Sequence, residues 1–359
     1  MLRVGIVGMG FGAAVHLPAF EAQNGVQVVA VADNGSGRAE ALAATHVGKL
    51  HVFSDGVSLA AWDGVDIVSI AVPPREQEAL VRAALLTGKH VLCDKSFCIG
   101  ANAGKELEHL AHERGLTGGL LYEFRYDPGI QYLIRIVGAG EIGNISHIAV
   151  AWQTSGALDP QRFWSWRHDA KQGGGVLVDW FIHVADYVSR IAQSPILCLR
   201  ARVATNVPER LSRDMVMRAV TAPDECDIVC GFENGVTGEF FVSNASRAPI
   251  GHRIEVTGDC GSIVLHHAPP FSASDRTLRL FRGDSETILV DYLPSRFQQF
   301  SDERIITTSE LIADFISVLG GGCCPQLPTF ADGVANWRII EAALAAVNDR
   351  KGQTICIAH

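Results

Sequence analysis

The sequence predicts an α/β protein in which a doubly wound parallel sheet is followed by a second α/β region with a predominantly antiparallel sheet. Apolar strands alternate with helical segments through about residue 122. Beyond about residue 123, strands follow one another across short turn signals, and one long helix interrupts them. The chain has 359 residues, which is too long for a single hydrophobic core and suits two domains.

Charge, hydropathy and cysteine content limit the classes of function. The formal net charge is −9, and so acidic a surface repels nucleic-acid phosphates, so we expect no nucleic-acid partner. No apolar run approaches the roughly 20 residues that span a bilayer, so we expect no membrane insertion. The nine cysteines include no Cys-x-x-Cys pair, which favours a reducing cytoplasm and argues against a metal site.

The first predicted strand, Leu2 to Val7, leads into a glycine-rich loop. Residues 8–13 match the pattern G-x-G-x-x-A, and a helix is predicted from Ala13 to Gln23, although Pro18 should restrict or kink it. The second strand ends in Asp33, 20 residues after Ala13, close to the expected distance for the acid that binds an adenosine ribose. Together these features predict a dinucleotide site.

Each position of this loop has a physical role in holding a pyrophosphate. Gly8 permits the tight turn, Gly10 allows close approach of the backbone, and Ala13 lets the helix pack close to the strand. The helix N-terminus presents free N–H groups and partial positive charge to the phosphates. Asp33 would bind the ribose hydroxyls of NAD and repel the 2′-phosphate of NADP, whereas Arg38 leaves NADP open.

The later strands of the first region are apolar, as is typical of a parallel sheet that helices cover on both faces. The stretch VDIVSIAV ends at Pro73, and KHVLCDK ends at Lys95. Ligands bind beyond the carboxyl ends of the strands in such sheets. We therefore expect Gly8, Asp33, Pro73 and Lys95 to lie at the cofactor edge.

The long helix of the second region, GGGVLVDWFIHVADYVSRIA, carries polar residues at helical spacing. Asp179 and His183 are four residues apart and are predicted to share a face, with Asp186 nearby. The glycines at 173–175 would let another group approach the start of the helix closely. The pattern is compatible both with a structural histidine–carboxylate pair and with a catalytic one.

Two domains are predicted, one binding the dinucleotide over residues 1–122 and one for substrate and oligomerisation over residues 123–359. The boundary falls near the segment YEFRYDP. A final helix, predicted over residues 330–349, is expected to pack back on the first domain.

Taken together, the motifs resemble those of the glucose–fructose oxidoreductase, inositol dehydrogenase and rhizopine-catabolism family, usually called Gfo/Idh/MocA. GKHVLCDKSF stands where the family has GKHVLVEKP, FRYDP is similar to its R-[FY]-D-P, and GGGVLVDWFIHVAD is similar to its GGG-x-L-x-D-x-G-x-H-x-x-D. The resemblance covers essentially the whole chain. It implies an N-terminal Rossmann domain and a C-terminal α/β domain with an open, predominantly antiparallel sheet, which usually forms the interface of a homodimer or homotetramer.

The resemblance also implies an NAD(P)-dependent enzyme that moves hydride between the nicotinamide and a hydroxyl-bearing carbon of a sugar, cyclitol or related polyol. Lys95 would hydrogen-bond the reacting oxygen and stabilise its developing charge. His183 would take the hydroxyl proton, and Asp179 would orient it or hold a neighbouring hydroxyl. The predicted cofactor-binding residues are Gly8, Gly10, Phe11, Gly12, Ala13, Asp33, Arg38, Pro73, Asp94 and Lys95.

This chain departs from the family pattern at four positions. Asp94 replaces the usual Glu, Ser96 the usual Pro, and Phe181 the Gly two positions after Asp179; Gln77 stands where the family often has His. These changes bear on the choice of substrate more than on the chemistry, because the three catalytic positions are retained.

Other residues are candidates for contact with substrate. The two tryptophans of RFWSWRHD are compatible with a platform for a sugar ring and equally with a core position. The arginine of YEFRYDP is compatible with the cleft and equally with a structural ion pair at the domain junction. The candidate substrate residues are Tyr122, Arg125, Trp164, Trp166, Arg167 and His168.

Two further functions stay open at this point. Some relatives in the superfamily are glycosidases that keep NAD bound and use transient oxidation, and the superfamily also contains a transcriptional regulator that senses a ligand without catalysis. The retained lysine, aspartate and histidine argue against the sensor, and an assay is needed to separate the two enzymes.

Overall fold

The structure is a computed structural model that describes residues 1–269, 271, 275–289, 296–348 and 353–357. Contacts divide the chain into two compact units. The first consists of Met1–Tyr126 with Pro294–Ala335, and the second of Asp127–Leu293 with Asn336–His359. The domain limits predicted from the sequence and the packing of the last helix on the first domain stay predictions.

The first unit is built on a six-stranded sheet with the order β3-β2-β1-β4-β5-β6, in which all neighbouring strands are parallel. Helical connections lie between most successive strands, as parallel pairing requires. This is the doubly wound arrangement that the alternating pattern predicted. The strands are β1 (Leu2–Val7), β2 (Val26–Ala32), β3 (His51–Phe53), β4 (Ile67–Ile70), β5 (His90–Asp94) and β6 (Gly118–Leu121).

The second unit contains a nine-stranded sheet with the order β16-β15-β14-β13-β7-β12-β11-β8-β17, and β9 pairs separately with β10. Every pairing in the large sheet is antiparallel except that of β12 with β7, so the sheet is mixed and mostly antiparallel. The strands are β7 (Ile145–Gln153), β8 (Ile196–Ala204), β9 (Glu209–Leu211), β10 (Met217–Ala219), β11 (Glu225–Phe232), β12 (Thr237–Ser243), β13 (Gly251–Gly258), β14 (Ser262–His267), β15 (Arg276–Arg282), β16 (Ser285–Leu289) and β17 (Ile355–Cys356).

The helices flank these sheets. Their bounds are α1 (Leu17–Glu21), α2 (Arg38–Thr45), α3 (Gly56–Ala61), α4 (Pro74–Leu86), α5 (Ala101–Glu113), α6 (Pro128–Gly138), α7 (Ile182–Ala192), α8 (Glu303–Leu319) and α9 (Phe330–Asn348). Position 349, the predicted end of the last helix, lies outside the described residues. Short 3-10 turns cover Glu123–Tyr126, Gly156–Leu158, Trp166–His168 and Ala170–Gln172.

The helix predicted from Ala13 to Gln23 is not regular. Gly12–His16 winds as a π-helix, and an α-helix follows over Leu17–Glu21 with Pro18 in its first turn. Proline has no N–H for the hydrogen bond of a continuous α-helix, and it is favoured in the first turn. The predicted restriction at Pro18 therefore appears as a change of winding at the residue before α1.

Helix α8 belongs to the core of the first unit, although the sequence pattern did not predict it. Its residues Leu311, Ile312 and Phe315 are fully buried in one hydrophobic cluster with Val4 and Ile6 of β1. Four β-branched residues, IITT, stand near its start. Such runs are typical of strands, so the sequence pattern here does not indicate a helix.

Candidate active site

The glycine loop after β1 has the geometry that a pyrophosphate requires. Gly8 has φ +107, and a Cβ at this position would lie 2.2 Å from the carbonyl oxygen of Ala71. Gly10 is exposed, and its Cβ would meet nothing within 4 Å, so a ligand has open access to its backbone. The close contact of helix and strand is made by Gly12, whose Cβ would lie 3.1 Å from Cγ2 of Ile6. That role was predicted for Ala13, which is only half-buried.

Asp33 directly follows β2, and its own loop occupies most of its carboxylate. Oδ1 accepts the N–H of Gly35 at 2.8 Å, and Oδ2 accepts the hydroxyl of Ser36 and the N–H groups of Arg38 and Ala39 at 2.7, 2.9 and 3.2 Å. Burial raises the pKa of Asp33, but these hydrogen bonds outweigh it and lower the pKa to about 2. The carboxylate is therefore ionised, and Oδ1, which accepts a single N–H, retains capacity for a ribose hydroxyl.

Three other predicted cofactor residues belong to the segments at this edge. The exposed side chain of Arg38 donates from Nε to Oγ of Ser36 at 2.9 Å. Pro73 immediately precedes α4. The ring of Phe11 meets the edge of His16 with 5.5 Å between centroids, and Nδ1 of the fully buried His16 lies 2.9 Å from Oγ of Ser69. Burial lowers the pKa of His16 to about 3, so it is a neutral residue beneath the loop.

Lys95 directly follows β5 and is half-buried. Gln77 of α4 is 1% exposed and donates from Nε2 to the carbonyl oxygens of Val72 and Lys95, at 2.9 and 3.5 Å. The Lys95–Ser96 peptide bond is cis. The residue that departs from the family pattern at position 77 thus links the ends of two neighbouring strands.

Tyr122 and Arg125 are both buried within the first unit, 0% and 2% exposed. Arg125 donates to the carbonyl oxygen of Gln326 at 3.1 Å and to Oδ1 of Asp332 at 3.0 Å. Burial raises the pKa of Asp332, but the charge of Arg125 and hydrogen bonds from Thr329 leave it below the ordinary value. These contacts favour the structural alternative for Arg125.

Asp179 lies in a π-helical turn, Leu177–Phe181, which continues directly into α7. Single π turns within helices occur frequently at functional sites. Nε of Arg167 donates to Oδ2 of Asp179 at 3.1 Å, whereas His183 is buried and 3% exposed. Phe181 is fully buried, with its ring 6.1 Å from that of Phe240, so its bulk is directed into the core.

The glycines before this helix accommodate the protein's own backbone. A Cβ at Gly174 would lie 2.5 Å from the carbonyl oxygen of Arg167, and one at Gly175 would lie 2.7 Å from the ring of Pro223. Gly175 has φ +94, and its N–H donates to the carbonyl oxygen of Arg167 at 3.0 Å. The close approach predicted here is therefore made by neighbouring loops.

A polar cleft opens beside the start of this helix, within the second unit. Its empty space, counted out through the open mouth into solvent, is about 510 Å³. Seven of the fifteen lining residues are charged or polar, and Asp179 is among them. The lining residues are Ala157, Arg162, Arg167, His168, Gly175, Val176, Asp179, Trp180, Val207, Arg210, Val220, Ala222, Pro223, Asp224 and Asn244.

The tryptophan in this cleft is Trp180, not either tryptophan proposed as a sugar platform. Its ring stacks on that of Trp152 with 4.8 Å between centroids. Trp164 instead donates from Nε1 to the carbonyl oxygen of Ala219 at 3.0 Å. Trp166 is covered by the guanidinium of Arg167 at 4.4 Å. Trp180 adjoins Asp179 in the D-x-x-x-H motif, and that adjacency was the signal that could have identified it as a lining residue.

The glycine loop and the parallel sheet define a dinucleotide-binding protein of the doubly wound class. Residues 2–121 match the family model described as oxidoreductase family, NAD-binding Rossmann fold, and residues 130–264 match that of the GFO/IDH/MocA C-terminal domain. An uncharacterized oxidoreductase of Synechocystis sp. is 30% identical over 267 residues, covering 74% of this chain and 71% of that protein. The chain belongs to the Gfo/Idh/MocA family of NAD-binding oxidoreductases, which confirms the predicted family, fold class and cofactor.

Other relatives extend over nearly the whole chain. Glucose-6-phosphate 3-dehydrogenase of Bacillus subtilis is 26% identical and covers 95% of both chains. Inositol 2-dehydrogenase of Rhizobium meliloti is 23% identical and covers 98% of both. A solved structure of levoglucosan dehydrogenase with NADH has a TM-score of 0.86 at 21% identity, covering 100% of this chain and 99% of that one. This last likeness shows the shared fold.

Proposed function

We propose that the protein is an NAD-dependent dehydrogenase that oxidises a secondary hydroxyl of a sugar, cyclitol or related polyol, or reduces the corresponding carbonyl. One observation carries this proposal: Asp179, the first residue of the family's D-x-x-x-H motif, lines an open cleft whose wall carries charged and polar side chains. The relatives named above support the substrate class, since their names specify a sugar phosphate and inositol as substrates.

The residues of this chain have separate tasks in the proposed reaction. NAD, when bound, supplies the hydride acceptor. The ammonium of Lys95 donates a hydrogen bond to the reacting oxygen, and a preorganised donor of this kind is worth about 3–4 kcal/mol. His183 accepts the hydroxyl proton during oxidation and returns it during reduction. The carboxylate of Asp179, already held by Arg167 at 3.1 Å, holds a neighbouring hydroxyl or orients the histidine.

A panel of sugars and inositols, incubated with the protein and NAD, tests this proposal through absorbance at the NADH band. We expect net NADH with at least one polyol. Release of an aglycone from glycosides without net NADH would instead identify a glycosidase, and ligand binding without either reaction would identify a sensor. The matched control is Lys95→Ala, which should form NADH more slowly by roughly 10²-fold or more.

Assembly and location belong to the same proposal. The large sheet of the second unit presents Val229 of β11, 52% exposed, between its cross-strand neighbours Arg200 and Glu239. A homodimer or homotetramer formed through the exposed face of this sheet, which includes Val229, completes the proposal. All nine cysteines are free thiols, which supports a cytoplasmic location. Within the described residues, no helix combines the length and apolar character needed to cross a membrane.

A further inference from the structure

The cleft of the second unit is lined by more arginine side chains than carboxylates. Three arginines line it, Arg162, Arg167 and Arg210, together with two carboxylates, Asp179 and Asp224. Arg167 forms an ion pair with Asp179 at 3.1 Å. Across the described ranges of the chain, neither Arg162 nor Arg210 has a carboxylate oxygen within 4.0 Å. Two guanidinium charges in the wall are therefore without a paired anion.

The carboxylate of Asp224 accepts hydrogen bonds from the loop at residues 206 and 207. Oδ1 of Asp224 accepts the backbone N–H and the side-chain amide of Asn206 at 2.8 and 2.9 Å, and Oδ2 accepts the N–H of Val207 at 2.9 Å. Asp224 is 8% exposed. These three donors stabilise the negative charge of Asp224, and its carboxylate is directed toward residues 206 and 207.

Arg210 is buried in the cleft wall and hydrogen-bonds the loop at residues 157–162. Nη1 donates to the carbonyl oxygens of Asp159 and Arg162 at 3.0 and 2.8 Å, and Nη2 donates to that of Ala157. The residue is 5% exposed, and its Nε is buried with no hydrogen-bond partner among the described residues. Arg210 fixes the loop that carries Arg162 and leaves its own charge without a counter-ion.

Arg162 is the cation available to a ligand. It is half-buried, and its side chain makes no hydrogen bond or ion pair within the part of the chain that the structure describes. Burial, and then the charge of Arg167, lower the pKa of Arg162, while Asp179 and Asp159 oppose this shift. Asp159 is exposed and lies outside the cleft lining, where solvent weakens its effect. An anion in the cleft would supply the missing partner.

His168 adds a neutral donor to the same wall. Its Nδ1 accepts the N–H of Ser165 at 2.9 Å, so the proton of the neutral ring is on Nε2. Burial, followed by the charges of Arg210, Arg162 and Arg167, lowers the pKa of His168 to about 4. Near neutral pH this histidine can therefore donate a hydrogen bond to a ligand without adding charge.

We infer that this cleft holds the anionic substituent, a carboxylate or a phosphate, of an acidic sugar, and that Arg162 determines the preference for it. A guanidinium matches either anion with two parallel N–H···O bonds. Because Asp179 lines the same cleft, the inference rests on the proposed function and specifies its substrate class.

Binding and turnover are measured separately. Calorimetric titration of the protein with NADH present compares D-glucose with D-glucuronate and with glucose 6-phosphate, and NADH formation is followed for the same three compounds with NAD. The variants are Arg162→Gln, Arg162→Lys and the control Arg218→Gln, whose guanidinium pairs with Asp214 at 2.7 Å outside the cleft. Thermal melting confirms that each variant is folded.

We expect at least one acidic sugar to bind more tightly than glucose, and Arg162→Gln to weaken that binding roughly 10- to 100-fold. Glucose binding should change less than about threefold in that variant. Arg162→Lys should recover part of the loss, and Arg218→Gln should match the parent. The glucuronate and phosphate titrations show which anion is preferred.

Two results overturn the inference. One is that neither acidic sugar binds more tightly than glucose, and the other is that Arg162→Gln binds the acidic sugars as the parent does. If either occurs while a neutral sugar still yields NADH, the proposed dehydrogenase stands and only the anion site is wrong. If an acidic sugar binds tightly through Arg162 but no NADH forms, the anion site is supported and the proposed dehydrogenase activity is refuted.

Discussion

Arg167 donates from Nε to Oδ2 of Asp179 across 3.1 Å, and this ion pair joins the loop before the glycines to the π-helical turn that precedes α7. The carbonyl oxygen of the same arginine accepts the N–H of Gly175 at 3.0 Å. The two contacts fix the start of the helix relative to the loop. The orientation of the Asp179 carboxylate is thus set before any substrate binds.

Arg167→Gln tests whether this orientation matters for catalysis. The arginine side chain is 46% exposed, so the pair contributes only about 0–1 kcal/mol to stability. We expect a nearly unchanged melting temperature but a loss of roughly tenfold in kcat/KM, because the Asp179 carboxylate loses the contact that orients it. If the folded variant has the kcat/KM of the parent, the ion pair does not orient Asp179 for catalysis.

Lys95→Ala should lower kcat by roughly 10²-fold or more, the effect typical of one lost donor to a developing oxyanion. NAD binding, measured by fluorescence titration, should stay near the parental value because the pyrophosphate loop is at Gly8–Ala13. Lys95→Arg should not restore the rate, since a planar guanidinium does not replace a compact ammonium. Lys105→Ala, an exposed lysine on α5, is the control. A parental rate with weakened NAD binding would make Lys95 a cofactor contact.

The hydrogen bonds to Asp33 predict a pH-dependent contribution to stability. Its pKa is about 2 in the folded chain and 3.8 ordinarily, so the carboxylate stabilises the fold above the ordinary value. This contribution is lost as pH falls through about 2. The difference in free energy of unfolding between the parent and Asp33→Asn should be largest near neutral pH and shrink below about pH 4. Urea titrations at several pH values measure this difference, with the exposed Asp284→Asn as the control. A difference that does not change with pH would show that the ionised Asp33 carboxylate does not stabilise the fold.

We expect the protein to prefer NAD to NADP, because the ionised Asp33 carboxylate repels a 2′-phosphate. Specificity constants for the two cofactors measure this preference. Any activity with NADP should fall in Arg38→Gln, while activity with NAD should change little, since the exposed guanidinium of Arg38 bonds, within the described residues, only to Ser36. A clear preference for NADP in the parent would make Arg38 the dominant determinant.

Light scattering at micromolar concentration should give a multiple of the monomer mass. Val229→Glu places a charge in the exposed face of the nine-stranded sheet and should shift the protein toward monomer. Val47→Glu, at an exposed position of the first unit, should leave the mass unchanged. A monomeric parent protein would refute assembly through this sheet.

The sequence was most informative where local rules determine the backbone. The strand-end positions of Gly8, Asp33 and Lys95 followed from apolar runs and loop spacing, and the structure has them directly after β1, β2 and β5. Parallel strands align these ends on one edge of the sheet, so no long-range contact was needed to predict it. The roles of Lys95, Asp179 and His183 stay predictions, because family motifs alone assign them.

Features that depend on tertiary packing were not predictable. The β-branched run of α8 resembles a strand, and only its burial against β1 makes it a core helix. Arg162 and Arg210 lie 48 positions apart in the sequence, in segments without a recognisable motif, and meet only because Arg210 bonds to the loop of Arg162. The commitment of Asp33 to its own loop likewise depends on the fold of residues 35–39.

The most direct test of the central claim is the fate of hydrogen from the substrate carbon. A substrate that supports turnover is prepared with deuterium on every carbon and incubated with the protein and NAD, and the reduced nicotinamide is analysed by mass spectrometry. Direct hydride transfer predicts that each reduced nicotinamide carries one deuterium from the substrate. Reduced nicotinamide without deuterium, or consumption of substrate with no reduced nicotinamide, would contradict the account.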